Sequence, residues 1–363
     1  MVEIAPGIVA NLYLLAALGT GVGLIAGFAG VSGGYLLTPI LIVLGFPAEI
    51  AVGTALALMT ANTLVAVLRH RELGHLDLKM GIIMAAGTMA GAEVGVRLLE
   101  RFRGVSETFA DVGVLTAMML TLGVVAVSMV REVWSSSERL ARMDTEGGAA
   151  ADDLEVHTAA CRFLQGLCVF PHIRFTKSKL RISGWIVLAL GAAIGVLSGF
   201  LGVGGCFMRG PALIYLVGQP SLMAVGTNLV GAFVGVGFSC FRHAMLGHVH
   251  LGVALVMLLG TAIGTRIGAS GTCWVTGLAV RWVLAASVAA AVLAPALKVA
   301  WFVTGSRLEW LDATARVVAV AQVFVPVAVV VALLAMALRH YRGGTVPAWI
   351  RPLMTGQPRA AAG

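Results

Sequence analysis

The stretch Gly199-Phe200-Leu201-Gly202-Val203-Gly204-Gly205-Cys206 repeats the punctuation of Gly27-Phe28-Ala29-Gly30-Val31-Ser32-Gly33-Gly34. Outward from it, Pro39 recurs as Pro211, Gly53-Thr54 as Gly226-Thr227, Arg69-His70 as Arg242-His243 and Gly74-His75 as Gly247-His248. Gly87, Gly91 and Gly95 recur as Gly260, Gly264 and Gly268. The offset is 172 residues up to the proline and 173 from Gly53 onward, so a single inserted residue separates two matched halves. Halves that each carry a glycine-interrupted apolar segment follow the plan of secondary transporters, which place the substrate site where the repeats meet.

Composition sets the solvent. With 59% hydrophobic residues, 12% charged residues and 46 glycines in 363, the chain is too apolar for a water-soluble domain and reads as an integral membrane protein. No charge falls between Ile4 and Ala48, between Ile182 and Met208, or between Gly210 and Phe241, and each run exceeds the roughly 20 residues of a helical crossing. The expected fold is all-α and polytopic. Long helices are expected near 8–31, 50–69, 79–98, 108–130, 182–204, 222–241, 251–270, 280–303 and 315–338, and short broken or half-helices near 35–45 and 207–218. The start Met1-Val2-Glu3 lacks the basic flank of a secretory signal, so the first apolar segment reads as retained. The expected organisation is a first membrane repeat over 1–130, a polar loop over 131–181, a second repeat over 182–303, and an extra helix with a basic tail over 304–363. Ser135-Ser136-Ser137 and Gly147-Gly148-Ala149-Ala150 mark the polar stretch as loop.

Charge gives an orientation. Arg174, Lys177, Lys179 and Arg181 crowd the start of the second half, and Arg339, Arg342, Arg351 and Arg359 follow the last helix, so both regions belong in the cytoplasm. They share a side only if the short 207–218 segment also crosses. By the same count the amino terminus is outside and the halves are inverted, with parallel repeats as the competitor. Arg97, Arg101 and Arg103 then fall outside, against the charge rule.

A glycine run in a membrane segment loosens the helix and frees backbone N–H groups, which hydrocarbon cannot satisfy. Short helices starting near Tyr35 and Phe207 would aim positive ends at mid-membrane, where a small oxyanion is favoured. The candidate substrate-binding residues are therefore Gly30, Ser32, Gly33, Gly34, Thr54 and Asn62 in the first half. In the second they are Gly202, Gly204, Gly205, Cys206, Arg209, Thr227 and Asn228. The ordinary alternative is close helix packing, which is the better reading for the four-spaced Gly87, Gly91, Gly95 and Gly260, Gly264, Gly268 sets. Arg209 is the charge in an otherwise uncharged run, and it pairs with substrate, snorkels to a membrane face or meets a carboxylate. Glu93 either pairs with Arg97 one turn on or couples protons. His75 and His248 are repeat-related, and the ordinary titration of histidine near neutrality would suit a proton role, though boundary histidines commonly cap helices. His157, Cys161, Cys168 and His172 cluster without a strong zinc spacing, and the remaining cysteines Cys206, Cys240 and Cys273 read as packing residues. No metal, cofactor or catalytic residue is expected. The spans offer only Glu93, Arg97, Arg209 and Arg266 as clear charges, too few for an enzyme site.

The pattern Gly-Val-Ser/Gly-Gly-Gly/Cys-aromatic, then proline, then Ala-Val-Gly-Thr, occurring twice, resembles the TauE/SafE family of sulfite and organosulfonate exporters. Residues 201–216 carry the resemblance most strongly, and it extends over roughly 10–300. It implies a prokaryotic inner-membrane transporter of sulfite, thiosulfate or organosulfonates working by alternating access, with a small anion and the lipid bilayer as partners and no nucleic acid. Departures from the family pattern are Cys206 in place of a third glycine, and Arg209-Gly210 in place of two apolar residues before the proline. A uniporter, a channel, a carrier of another solute and a membrane scaffold are the alternatives.

Overall fold

A computed structural model of the chain describes residues 2–5, 8–29, 31, 33–72, 77–146, 172–175, 178, 180–219, 221–305 and 308–342. Apolar runs become helices because hydrocarbon requires every backbone N–H and C=O to be paired within its own segment. The helices are α1 (Leu12–Ala29), α2 (Gly34–Val43), α3 (Ala48–Glu72), α4 (Leu78–Val105) and α5 (Glu107–Glu146). They continue as α6 (Gly184–Leu201), α7 (Cys206–Ala212), α8 (Ser221–Met245), α9 (Leu251–Gly271), α10 (Gly277–Ala290), α11 (Leu293–Val303) and α12 (Glu309–Tyr341). Two short antiparallel hairpins, β1 (Val2–Ala5) with β2 (Ile8–Ala10) and β3 (His172–Phe175) with β4 (Leu180–Ser183), accompany the helices. Among the described residues seven stretches are long and apolar enough to cross a bilayer, with Leu278–Val303 taken as one, and α3 and α8 have the length for it at 25 residues each.

The chain is thus the expected all-α polytopic membrane protein, with local differences. Residues 8–10 are strand rather than helix, and α1 starts after Asn11, whose Oδ1 accepts from the Tyr13 N–H at 3.0 Å. Residues 131–146, expected as loop, extend α5, because Glu, Arg, Leu and Met there favour helix strongly enough to carry the three serines. The expected 280–303 helix is two: Pro295 removes an N–H and its ring crowds the carbonyl of Ala291, where α10 stops.

The helices fall into two compact units that cut across the duplication. Unit 1 comprises Met1–Phe46, Leu115–Ala149 and Leu255–Gly363, and unit 2 comprises Pro47–Val114 and Ala150–Ala254. Each contains helices from both repeats.

Inside each unit the backbones of two helices touch through glycine. In unit 2, a Cβ on Gly87, Gly91 or Gly95 of α4 would overlap the carbonyls of Leu188, Ala192 or Val196 on α6. In return, Gly191, Gly195 and Gly199 of α6 lie against Met84, Thr88 and Ala92. Unit 1 has the repeat-related contact: Gly260, Gly264 and Gly268 of α9 meet Ala16, Thr20 and Leu24 of α1, and Gly19, Gly23 and Gly27 meet Met257, Thr261 and Thr265. The packing role expected of the four-spaced glycines is what they perform. Lipid tails are as apolar as leucine, so close van der Waals contact rather than hydrophobic burial holds such pairs.

Unit 2 also reveals the sense of the repeats. Helix α8 is the duplicate of α3, and the two are antiparallel: Gly53 near the start of α3 lies against His248 beyond the end of α8, while Thr60 lies beside Gly237, 3.7 Å from where its Cβ would stand. The halves are inverted.

Replacing Gly91 by leucine should overpack the α4–α6 contact and cost about 2–3 kcal/mol, whereas Gly123, with nothing within 4 Å of its would-be Cβ, should accept leucine. Thermal melting of the detergent-solubilised chain checks this, and equal melting temperatures for the two variants would contradict it.

Candidate functional site

The first glycine break lies in unit 1. Gly33 occupies the position before α2 with φ 69°, a left-handed conformation that glycine adopts without strain, and it packs on Val22 and Ala26 of α1. Gly34 opens α2 and is buried. Gly30 and Ser32 lie outside the described residues. All of α2 is buried, and it is apolar except at Thr38 and at Tyr35, whose hydroxyl shares a 2.8 Å hydrogen bond with Ser287 Oγ of α10.

The second break lies in unit 2 and is more contorted. Gly202, Gly204 and Gly205 all have positive φ, at 66°, 69° and 66°, and they sit against Val52, Met59 and Ile194 respectively. From Gly205 the chain re-enters helix at once, since its carbonyl accepts from the N–H groups of Met208 at 3.2 Å and Arg209 at 2.8 Å. Pro211 then withholds an N–H from the ladder, and α7 widens into a π-helical turn over Leu213–Val217 that ends at Gly218, φ 82°.

Arg209 therefore stands on the first turn after the break, and its side chain is 0% exposed, the largest fully buried one among the described residues. It does not snorkel. Its Nη2 donates to Thr88 Oγ1 of α4 at 3.4 Å, a long bond, and among the described residues Nε and Nη1 have no hydrogen-bond partner and no carboxylate pairs with the group. The stem lies along Gly231 of α8, whose would-be Cβ is 3.4 Å from Arg209 Cδ. Asn228, one turn earlier on α8, donates from Nδ2 to the Cys206 carbonyl at 3.0 Å and so holds the first turn of α7, while its buried Oδ1 has no partner among the described residues. A buried cation lacking an acid is costly, so something anionic is needed to balance it.

The two halves differ here. The positions equivalent to Arg209, Asn228 and Gly231 are Leu37, Ala55 and Leu58. The guanidinium, the amide that fixes its helix and the glycine that makes room for its stem occur together in one copy and are all absent from the other.

Other expected site residues have other partners. Thr54 Oγ1 accepts the His250 N–H at 3.1 Å, and Thr227 Oγ1 accepts the Asp77 N–H at 3.3 Å. Asp77 and His250 are themselves repeat-equivalent, and each caps its following helix, Asp77 through Met80 N at 3.2 Å and His250 through Val253 N at 3.2 Å. The two Gly-Thr pairs thus clasp each repeat's third helix to the other repeat's fourth. Around Thr227 the clasp extends into a buried network that the sequence did not reveal. Ser178 Oγ donates to Asp77 Oδ2 at 2.6 Å, and Gln219 Nε2 donates to Ser178 Oγ at 2.8 Å and Thr227 Oγ1 at 2.9 Å. Asn62 is half-buried on α3, outside these contacts. Glu93 is held by Arg97 at 2.9 Å and, through both oxygens, by Arg242 at 2.6 and 3.0 Å. His157, Cys161 and Cys168 lie outside the described residues.

A membrane protein with inverted repeats, helices broken at matching glycine clusters and a buried, acid-free cation beside one break belongs with broken-helix transporters. The profile described as "Sulfite exporter TauE/SafE" matches residues 15–295, and the chain belongs to that family. The probable membrane transporter protein YjnA of Bacillus subtilis (strain 168) is 25% identical over 261 residues, covering 69% of this chain and 86% of its own length. YunE of the same organism, also named a probable membrane transporter protein, is 22% identical over 72% of this chain and 88% of its own length. A probable membrane transporter protein of Xylella fastidiosa (strain 9a5c) is 26% identical over 71% of this chain and 87% of its own length. No solved structure matches the chain.

Because a lone buried charge costs more than a well-packed apolar side chain, Arg209→Met should raise the melting temperature of the protein in anion-poor buffer, by the equivalent of about 1–4 kcal/mol. A fall in melting temperature would mean that the guanidinium is already compensated within the fold.

Proposed function

We propose that the protein carries small sulfur oxyanions, namely sulfite, thiosulfate or organosulfonates, across a prokaryotic inner membrane by alternating access, with Arg209 as the charge that meets the anion. The observation that carries this reading is the fully buried guanidinium, with Nε and Nη1 unpartnered among the described residues and no carboxylate paired with it. Hydrogen bonds from an ionised donor to an anion are roughly twice as strong as neutral ones, and a site shielded from water amplifies them.

Both repeats contribute to the site within unit 2. Thr88 comes from the first, and Arg209, Asn228 and the glycines 202, 204 and 205 from the second. Left-handed glycines let the backbone approach a ligand without a Cβ in the way. The amino-terminal end of α7 adds a partial positive charge on the same side as the guanidinium. Cys206 supplies the carbonyl that Asn228 grips, so its part is positional. In the first half, Gly33 and Gly34 shape the matching break without a charge. Family membership and relatives named as probable membrane transporters support transport rather than catalysis. The clusters of arginine and lysine before α6 and after α12 support a cytoplasmic carboxy terminus and an amino terminus outside.

Uptake of labelled sulfite, thiosulfate and sulfoacetate into proteoliposomes tests the reading. At least one should accumulate, and Arg209→Met should weaken its apparent affinity about 10- to 100-fold, the loss of one charged hydrogen-bonding partner. Gly205→Val, which forces a side chain onto a φ of 66°, should abolish uptake while the protein still inserts. Movement of a cation with no oxyanion transported would overturn the assignment, as would Arg209→Met transport at wild-type affinity.

A further inference from the structure

We propose that His243 and His248 form a proton-binding dyad in unit 2 that couples anion movement to the proton gradient. The coupling rests on the transport reading above, whereas the proton site does not. His248 Nδ1 and His243 Nδ1 are 3.1 Å apart, His243 Nε2 is 3.0 Å from the Gly199 carbonyl, and His248 Nε2 is 3.1 Å from Arg103 Nη1. Both imidazoles are buried, at 0% and 3% exposure.

A carbonyl only accepts and a guanidinium only donates, so the chain of bonds fixes both tautomers. His243 carries its proton on Nε2 and donates to Gly199. His248 carries its proton on Nδ1 and donates to His243, leaving His248 Nε2 as the lone pair that Arg103 occupies. Every ring nitrogen is used and both rings are neutral. The dyad has one place for an added proton, His248 Nε2, and that place opens only when Arg103 turns away.

The charged groups facing the dyad fit such a gate. From α3, Glu49 holds Arg103 through Nε at 3.1 Å and is itself buried. From α4, Glu100 Oε1 stands 3.5 Å from His248 Nε2, ready to balance an imidazolium. Arg103 and Glu100 are the exposed members, with 44% and 40% of their side chains accessible. On α8 itself, Arg242 next to His243 is neutralised by Glu93. His250 beyond the loop is committed to capping α9, and α6 presents the Gly199 carbonyl. A proton therefore enters at Glu100 and passes to His248 Nε2. The Nδ1 proton then moves on to His243 Nδ1, with no heavy-atom bond made or broken.

In the state described here, burial first and the Arg103 charge second push the His248 imidazole, which lies in the loop between α8 and α9, down to about 4. Releasing Arg103 lifts that restraint. The far end of the chain bonds the last turn of α6, two residues before the helix gives way to the glycine break that leads to Arg209. Positive charge gained there favours an anion in the same unit, so proton and anion bind together and move in the same direction. The spacing Arg242-His243 to Gly247-His248 recurs at Arg69-His70 to Gly74-His75, whose histidine side chains lie outside the described residues.

Two measurements on the full chain decide it. In proteoliposomes, acid on the side of labelled thiosulfate, which stays ionised near neutrality, should drive its uptake in the wild type. His248→Gln should lose the gradient-driven part by about tenfold, the factor carried by one pH unit, while one-for-one thiosulfate exchange continues. Thiosulfate uptake that stays gradient-driven in His248→Gln would overturn the proposal. Independently of any transport, exchange of the imidazole C2 hydrogen followed by mass spectrometry reads each histidine's titration midpoint. Arg103→Met should raise the His248 midpoint by at least about one pH unit, and an unmoved midpoint would overturn the dyad as a gated proton site. Failure of thiosulfate to move in the wild type while the His248 midpoint rises in Arg103→Met would count against the anion reading and leave the proton site standing.

Discussion

Backbone-to-backbone contact through glycine is the constraint on which this structure rests. In lipid a helix gains nothing by hiding leucine from the solvent, so association depends on how closely two helices approach. The four-spaced glycines of α4 and α6, and again of α1 and α9, let carbonyls of one helix sit where side chains would otherwise stand. The pairing is between repeats and not within them: the first helix of each half takes the fourth helix of the other. Two units therefore each contain parts of both halves, and neither repeat is a body of its own. The Gly-Thr clasps act in the same sense, since Thr54 and Thr227 each accept the backbone N–H that precedes the other half's fourth helix.

On this nearly symmetric scaffold the chemistry is asymmetric. Duplication provides two glycine breaks and two short helices, yet only the second carries a guanidinium, and the first has Leu37 at that position. Two further differences accompany Arg209. Gly231 makes room along the stem and Asn228 ties down the turn that bears it, where the first half has Leu58 and Ala55. Three linked differences at one place are hard to assign to packing, which the leucine version already satisfies. They make sense if the charge has a counter-ion that comes and goes.

Much of this was readable in the chain itself. Uncharged runs located the long helices, the glycine clusters marked both breaks, and counting crossings against basic flanks gave inverted repeats, which the antiparallel run of α3 and α8 matches. Pro295 carried the break between α10 and α11, although an apolar run alone concealed it. Thr54 and Thr227 read as donors for a ligand because a hydroxyl in an apolar span has few other uses; what no local pattern displays is that each also accepts a backbone N–H distant in sequence, from His250 and Asp77. The Asp77, Ser178, Gln219 and Thr227 network was invisible for the same reason, joining four separate stretches. The equivalence of Asp77 with His250 under the 173-residue offset was the available clue. One histidine near a helix end is ordinary, so His243 carries no signal in the sequence; its significance lies in the contact with His248.

The most direct test of the central claim, that a buried cation in the second break receives an oxyanion, is a structure determined with selenite, the selenium counterpart of sulfite, using the anomalous signal of selenium to locate it. The account predicts a selenium peak within hydrogen-bonding reach of the Arg209 guanidinium, beside Gly205 and Thr88, and no such peak in Arg209→Met. A selenium peak elsewhere in the membrane region, with the Arg209 guanidinium bonded instead to protein groups, would contradict it.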